Sequence, residues 1–313
     1  MKRTLLFAAA LTSLGLSACE TTGAINNMTS FTDPLVSDVI GFEEKHASAD
    51  YWASMPGQQD IIMSADEIAA FNKQNFAVEP LLYDLAKLPD SLSKDELTAK
   101  IRSISKIPSY PRIYTDGTEV TPADFARYEA MLNLSAVRAD NSVKFGVAVE
   151  RTWLRTYPTS DLLFSHDADN RDIERFQESA LFPADMVAVL HESADGNWLL
   201  VQSYNYIAWT PKNAIAIGER QEIMDYSARE DFLLITGDKV LTTYNPDAPE
   251  VSEVLLEMGV RLPLDRPAKF ANSLYGQNPY LSHMVLMPVR GVDGRLSFKH
   301  GLIARSKDVH VGY

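Results

Sequence analysis

The pattern of apolar residues changes near Asn141, and this change constrains the fold more than any other feature of the chain. Before it, apolar residues recur at helical spacing behind capping signals; after it, short alternating runs are separated by turn sequences. A chain of 313 residues with this change of pattern predicts an α+β multidomain protein, helical first and rich in strands afterwards.

The first part of the chain carries three helix start signals, which are Ser64 with Glu67, Ser93 with Glu96, and Thr121 followed by Pro122. Apolar residues follow each signal on one helix face, and a further short helix is predicted from Glu79 to Leu88. We therefore predict a small N-terminal helical domain over residues 56–138. Residues 19–55 lack periodicity and predict a tether that leads into an extended segment.

The second part predicts two small β-barrels. In residues 141–218, Asp195-Gly196 separates two apolar runs, which is a strong hairpin signal. In residues 231–313, Asp293-Gly294 predicts a second hairpin, and Gly237-Asp238 predicts a turn between two neighbouring strands. The polar residues 219–230 between the two barrels predict a linker.

The first residues form a signal-like segment. Lys2 and Arg3 precede an apolar run from Leu5 to Leu16, which is too short to span a bilayer. The sequence Leu16-Ser17-Ala18-Cys19 then resembles a bacterial lipoprotein signal, in which residues 1–18 are removed and Cys19 is lipidated. Because Glu20 replaces the Asp of the inner-membrane retention signal, the resemblance implies an acyl anchor in the outer membrane, facing the periplasm. An ordinary secretory signal with a chance cysteine is the alternative.

Charge excludes some partners. The net charge of −13 argues against a nucleic-acid partner, because such proteins need a basic surface. It also argues against adsorption to anionic lipid, which leaves the acyl anchor as the expected contact with the membrane.

Several stretches resemble one family of cell-wall proteins. They are Met63–Asn72, Asp84-Leu85, Arg155–Thr159, Arg175–Gln177, Leu190–Trp198, Val201-Gln202, Tyr206–Trp209, Thr236–Asp238 and Asp308–Tyr313. In this order they resemble the N-terminal stabilising region and the two bacterial SH3-like domains of NlpC-type, papain-like peptidase lipoproteins. The resemblance implies a helical stabilising domain followed by two SH3-like barrels.

The chain departs from that family in its chemistry. Family members continue into a papain-like domain with an Asp-Cys-Ser motif and two later histidines, whereas this sequence stops at Tyr313, about where that domain would begin. The one cysteine, Cys19, lies in the lipoprotein signal, and a thiolate–imidazole pair needs a cysteine beside a histidine. We therefore expect no catalytic activity from this chain.

Other catalytic patterns are missing from the sequence. The six histidines form no spaced pair of the kind that binds zinc, and no phosphate loop, dinucleotide fingerprint or serine elbow occurs. We expect neither a metal nor a cofactor. A glycosidase pair cannot be chosen from 42 carboxylates without geometry.

Aromatic residues of the first predicted barrel are the candidate ligand contacts. The candidates are Tyr157, Trp198, Tyr204, Tyr206 and Trp209, together with Arg155. Aromatic faces stack on sugars or line peptide grooves, and an arginine can pair with a carboxylate of a peptidoglycan stem peptide. Each aromatic can equally be a core residue, and Arg155 can equally be a structural partner of Asp161.

Three functions remain open from the sequence. The first is a non-catalytic envelope lipoprotein that binds peptidoglycan stem peptide or positions a peptidase near the wall. The second is an accessory subunit, or truncated form, of an NlpC-type cysteine peptidase whose catalytic domain lies on another chain. The third is a remnant of a peptidase gene without activity.

Overall fold

A computed structural model describes residues 39–57, 60–79, 81–166, 171–265 and 273–312. The chain divides into two compact units, one ending at Ile68 and one beginning at Ala69. The predicted lipidation site Cys19 and the predicted signal peptide lie outside the described residues. Within the described part of the chain, every helix is too short or too polar to cross a bilayer.

The first unit contains short helices where an extended segment was predicted. A 3-10 helix at Glu44–Ala47 is followed by α1 at Ala49–Ala53. The Trp52 indole N–H donates to the carbonyl of His46 at 2.8 Å, and the rings of these two residues lie 5.6 Å apart. Such local contacts leave no helical period in the sequence, so the prediction of extended chain was wrong here.

Three longer helices begin where the capping signals predicted them. They are α2 at Ala65–Val78, α3 at Lys94–Ile104 and α4 at Pro122–Met131. Each has a reciprocal hydrogen-bond pair at its start, as in Ser93, which accepts from the backbone N–H of Glu96 while the Glu96 carboxylate accepts from the N–H of Ser93.

The helix predicted from Glu79 to Leu88 was wrong. Among the described residues of that stretch, only a 3-10 helix at Leu85–Lys87 is present. The Asp84 carboxylate accepts from the backbone N–H of Ala86 at 3.1 Å, which stabilises a tight turn in place of a longer helix.

The strands of the second unit follow in chain order. They are β1 Ser91–Ser93, β2 Arg112–Tyr114, β3 Asp140–Ser142, β4 Lys144–Ala148, β5 Thr152–Arg155, β6 Leu163–Ser165, β7 Gln177–Leu181, β8 Met186–Glu192, β9 Trp198–Gln202, β10 Ile207–Pro211, β11 Ile215–Gly218, β12 Phe232–Ile235, β13 Lys239–Leu241, β14 Leu255–Glu257, β15 Arg261–Pro263, β16 Ser282–Arg290, β17 Leu296–Ala304 and β18 Val309–Gly312. Further 3-10 helices lie at Leu134–Ala136, Lys212–Ala214, Pro249–Val251 and Pro279–Leu281.

A seven-stranded antiparallel sheet dominates residues 144–218, in the order β11-β4-β8-β9-β10-β5-β7. The hairpin predicted at Asp195-Gly196 is confirmed, because β8 and β9 pair on either side of it. Gly196 has φ +73°, a conformation that glycine adopts without steric cost.

Both faces of this sheet are buried. Alternate residues of β8 show the pattern: Val187 and Val189 belong to one apolar core, while Ala188 and Leu190 belong to another. The second core also contains Leu97 and Ile101 of α3 with Phe125 and Tyr128 of α4. The helices α3 and α4 therefore cover one face of the sheet.

The segment predicted as a linker contains a helix. α5 spans Arg220–Ser227 and buries Ile223 and Tyr226. The Arg220 guanidinium donates to the carbonyls of Ala86 and Leu88, each at 2.7 Å. A polar helix with two buried residues lacks a clear periodic signal, which is why the sequence predicted a linker.

The strands from Phe232 onward form smaller sheets with non-local pairing. Gly237-Asp238 lies between β12 and β13, as predicted, but these two strands do not pair with each other: β12 pairs with β15 and β18, while β13 pairs with β14. The hairpin predicted at Asp293-Gly294 is confirmed by β16 and β17, which pair along nine residues each. The fold is thus a mixture of helices and sheets; the helical domain 56–138 and the barrels 141–218 and 231–313 stay predictions.

Candidate functional site

The six predicted ligand contacts fall into two groups in the structure. Four of them are buried, and the other two lie at the loop between β9 and β10. Tyr157, Trp198 and Trp209 belong to the core that also contains residues of α3 and α4, which explains their burial.

Three predicted aromatic contacts are core residues. Tyr157 and Trp209 are completely buried, and Trp198 is 8% exposed. The Trp209 indole N–H donates to Ser105 Oγ at 3.0 Å, and the Tyr157 hydroxyl donates to a Glu129 carboxylate oxygen at 2.9 Å. Trp209 and Tyr157 thus bind residues at the end of α3 and in α4, Trp198 belongs to the same core, and none of the three rings is open to a ligand in this structure.

Arg155 is also completely buried, and its contacts are internal. Its guanidinium donates to the backbone carbonyl of Asp161 at 2.5 Å and lies 3.3 Å from the Glu174 carboxylate. Asp161, the acid predicted as its structural partner, therefore hydrogen-bonds Arg155 through its backbone carbonyl, while the charge of its carboxylate favours the charged guanidinium. Burial lowers the pKa of Arg155, and the negative charge of Glu174 opposes that shift.

Glu174 organises the loop around this pair. Its carboxylate accepts from the backbone N–H groups of Leu163 at 2.9 Å, Phe176 at 3.0 Å and Gln177 at 2.6 Å. An ionised carboxylate that accepts several N–H groups is strongly held, so the chain path from β6 to β7 depends on Glu174 and its cation Arg155. The sequence carried no sign of this role.

Tyr204 and Tyr206 remain as contacts open to solvent. Tyr204 is 54% exposed, while its carbonyl accepts from the N–H of Tyr83 at 2.6 Å. The ring is therefore free on an anchored backbone. The Tyr206 hydroxyl donates to Glu178 at 2.5 Å, and burial with this carboxylate raises the pKa of Tyr206 to about 12.

Tyr204 borders a groove of about 500 Å³ that we call the Tyr204 groove. Its lining consists of Leu85, Ser179–Met186, Ser203–Asn205, Tyr226-Ser227, Met258–Arg261 and Pro263. Ligand pockets in proteins measure about 300–1,000 Å³. One wall is the strand β7, which is the last strand of its sheet and has no strand partner beyond it among the described residues.

The groove contains two charged groups that the sequence reasoning missed. Asp185 follows a tight turn, in which Ala184 has φ +77° and the Asp185 carboxylate accepts from the N–H of Phe182 at 2.8 Å. Burial raises the pKa of Asp185 to about 6. Arg261 enters from β15 and donates to the carbonyl of Ser227 at 2.8 Å. The Pro183-Ala184-Asp185 sequence signals a turn, but only tertiary structure brings Arg261 to it.

The described residues contain no candidate metal site. No group of three His, Cys, Asp or Glu side chains among them lies close enough together to bind one ion.

Residues 163–211 match the family model described as SH3 domain of the SH3b1 type. The fold is similar to that of a solved structure described as a novel NlpC/P60 endopeptidase from Photobacterium damselae subsp. piscicida, with a TM-score of 0.57 and 16% sequence identity. That match covers 80% of this chain and 53% of the endopeptidase chain, so this chain spans about half of its length. No curated protein matches the chain.

These findings confirm the resemblance predicted from the sequence, for the SH3b region and for the fold. The SH3b match begins at β6 and ends with β10, so it contains β7 and Tyr204.

Arg155 is expected to act on stability and not on ligand contact. Removing one partner of a buried ion pair costs about 3–5 kcal/mol, because the other charge stays buried and unpaired. We expect Arg155→Ala to lower the free energy of unfolding by this amount in urea titrations. Arg138→Ala, which changes an exposed arginine, is the control and should have an effect within about 0.5 kcal/mol. An Arg155→Ala variant of unchanged stability would contradict the structural role.

Asp185 makes the stability of the chain depend on pH. Its pKa rises from 3.8 to about 6 on folding, so the folded state holds the proton more tightly, and this stabilisation is lost as the pH rises through 6. At pH 7.5 the ionised carboxylate costs at most about 3 kcal/mol. We expect Asp185→Asn, which keeps an oxygen acceptor, to raise the melting temperature at pH 7.5.

The same variant should have no stabilising effect at pH 4, where the carboxyl group is protonated in the folded state. Asp140→Asn, at an exposed aspartate, is the control for removal of one negative charge. An equal gain for Asp185→Asn at both pH values would show that the charge of Asp185 is not the cause.

Proposed function

We propose that this chain is a non-catalytic cell-envelope protein that binds peptidoglycan stem peptides in the Tyr204 groove. One observation carries the proposal. The unpaired edge of β7 and the exposed ring of Tyr204 border the same groove, and both lie within the segment that matches an SH3b1 domain. The likeness in fold to an NlpC/P60 endopeptidase supports a role at the cell wall.

The strand edge supplies the main-chain part of the recognition. An edge strand presents N–H and carbonyl groups that an extended peptide can pair with, and such pairing is a common mode of peptide recognition. Ser179, Ala180 and Leu181 of β7 line the groove. Main-chain groups of a stem peptide laid along this edge would pair with the free N–H and carbonyl groups of β7.

Tyr204, Asp185 and Arg261 supply the side-chain part. A half-exposed tyrosine on an anchored backbone offers apolar area at a low entropic cost. Arg261, whose terminal nitrogens donate to the carbonyls of Ser227 and Arg229, places a positive charge beside the groove that attracts carboxylates. Asp185 offers a negative charge to amines once it is ionised. Stem peptides carry both kinds of group, so the charges of the groove match the chemistry of the ligand.

A second function is supported by the extent of the structural match. Because that match spans about half of the endopeptidase chain, the present chain can act as the accessory region of an NlpC-type cysteine peptidase whose catalytic domain lies on another chain. The adjacent residues Tyr280 and Leu281 are 64% and 77% exposed and offer apolar area to such a partner.

The Tyr204 groove is tested by retention on purified peptidoglycan at physiological salt. We expect the full chain to be retained, and Tyr204→Ala to weaken retention by about tenfold, which is typical for loss of an aromatic anchor. Tyr110→Ala is the matched control, because Tyr110 is 74% exposed and does not line the groove. No retention of the unaltered chain would refute wall binding, and co-purification of a papain-like chain would then favour the accessory role.

We also propose that Cys19 is lipidated and anchors the protein to the outer membrane, facing the periplasm. The support is the sequence of residues 1–19. Cells grown with labelled palmitate should yield a labelled protein, and Cys19→Ala should abolish the label. Label that persists in this variant would contradict the anchor.

A further inference from the structure

A second cavity lies where the β16–β17 hairpin meets the seven-stranded sheet. Its volume is about 440 Å³, and it shares no lining residue with the Tyr204 groove. Two contacts join its walls: the N–H of Ile217 donates to the carbonyl of Gly294 at 2.9 Å, and Arg290 Nε donates to the carbonyl of Ile215 at 3.1 Å. The cavity is therefore held on both sides by ordered backbone.

Four cations line this cavity in a chain whose net charge is −13; they are Lys144, Lys212, Arg290 and Arg295. The same cavity contains two carboxylates, each already paired. Glu192 lies 2.8 Å from Lys212, and Asp293 lies 3.6 Å from Arg295.

Lys144 and Arg290 have no ion-pair partner among the residues that the structure describes. An excess of two positive charges is thus concentrated in one cavity of an acidic protein, where the concave walls focus the potential.

The Arg290 guanidinium is oriented for a ligand. Its Nε is bound to the carbonyl of Ile215, whereas neither Nη group has a hydrogen-bond partner among the described residues. The side chain packs over Gly294, where a Cβ atom would lie 3.1 Å from Nη2. A guanidinium fixed at one edge, with its two terminal nitrogens unpaired, suits a carboxylate, which accepts from two N–H groups at once.

The floor of the cavity is apolar. Val189, Leu199, Ile215 and Ile217 line it, and the first three are less than 10% exposed. His191, at the same wall, adds no positive charge near pH 7, since burial lowers its pKa below the ordinary value of 6.5. A ligand that matches both parts of the cavity needs one anionic end and a small aliphatic group beside it.

We propose that this cavity binds the free carboxylate terminus of a peptide that ends in a small aliphatic residue. Arg290 and Lys144 would bind the carboxylate, and the apolar floor would contact the terminal side chain. The site is separate from the Tyr204 groove and does not rest on peptidoglycan binding there.

The test is a methyl NMR titration of the full chain with N-acetyl-alanyl-alanine and with its C-terminal amide. We expect saturable shifts at Val189 and Ile217 with the free acid, and binding of the amide weaker by at least about tenfold, as loss of a charge-assisted contact implies. Lys144→Gln and Arg290→Gln should each weaken binding of the acid by about three- to tenfold.

Two controls separate this site from general effects. Lys106→Gln removes an exposed lysine in the loop after α3 and should leave binding unchanged. Tyr204→Ala should also leave it unchanged, whatever its effect on retention by peptidoglycan. Because Lys144 is exposed, Lys144→Gln keeps the test valid even where Arg290→Gln loosens the hairpin.

Three results would overturn the proposal. These are equal binding of acid and amide, binding of the acid that neither Lys144→Gln nor Arg290→Gln weakens, and inorganic phosphate bound as tightly as the peptide acid. The last result would describe a pocket for any small anion and would exclude recognition of a peptide terminus.

Discussion

The seven-stranded sheet is apolar on both faces, and the rest of the structure depends on covering both. Its strands alternate between two cores, with Val187 and Val189 in one and Ala188 and Leu190 in the other. Each buried aliphatic or aromatic side chain contributes about 1.5–3 kcal/mol relative to exposure. A sheet of this kind would expose a large apolar surface on its own, so α3 and α4 are required to cover one face, and α5 covers part of the same core through Ile223.

This constraint decides where a ligand can bind. Because both faces are covered, Tyr157, Trp198 and Trp209 lie in the core between helices and sheet and are not open to solvent. Three parts of the sheet stay accessible, which are its last strand β7, the loop that carries Tyr204, and the junction with the β16–β17 hairpin. Both proposed binding sites lie at such borders, where backbone groups and long polar side chains reach the surface.

A buried charge pair supports the edge that forms the Tyr204 groove. Glu174 binds three backbone N–H groups and the guanidinium of Arg155, and so connects β6 and β7 to β5. Taking two charges out of water is costly, and the hydrogen bonds that Glu174 accepts offset part of this cost, whereas Nε and Nη1 of Arg155 are buried without a hydrogen-bond partner. Here those bonds set the path of the chain just before β7. The strand edge proposed for peptide recognition is thus positioned by Arg155, which the sequence left open as either a ligand contact or a structural residue.

Features that rest on neighbouring residues could be predicted from the sequence alone. The starts of α2, α3 and α4 and the turns at Asp195-Gly196 and Asp293-Gly294 were predictable, because caps and tight turns depend on a few adjacent side chains. It also carried the resemblance to an SH3b region. Only the folded chain shows the pairing of β12 with β18, the helix α5, the burial of Arg155 and Trp209, and the presence of Lys144 and Arg290 in one cavity. These features depend on contacts between residues far apart in the chain, whose packing and desolvation energies leave no periodic pattern in the sequence.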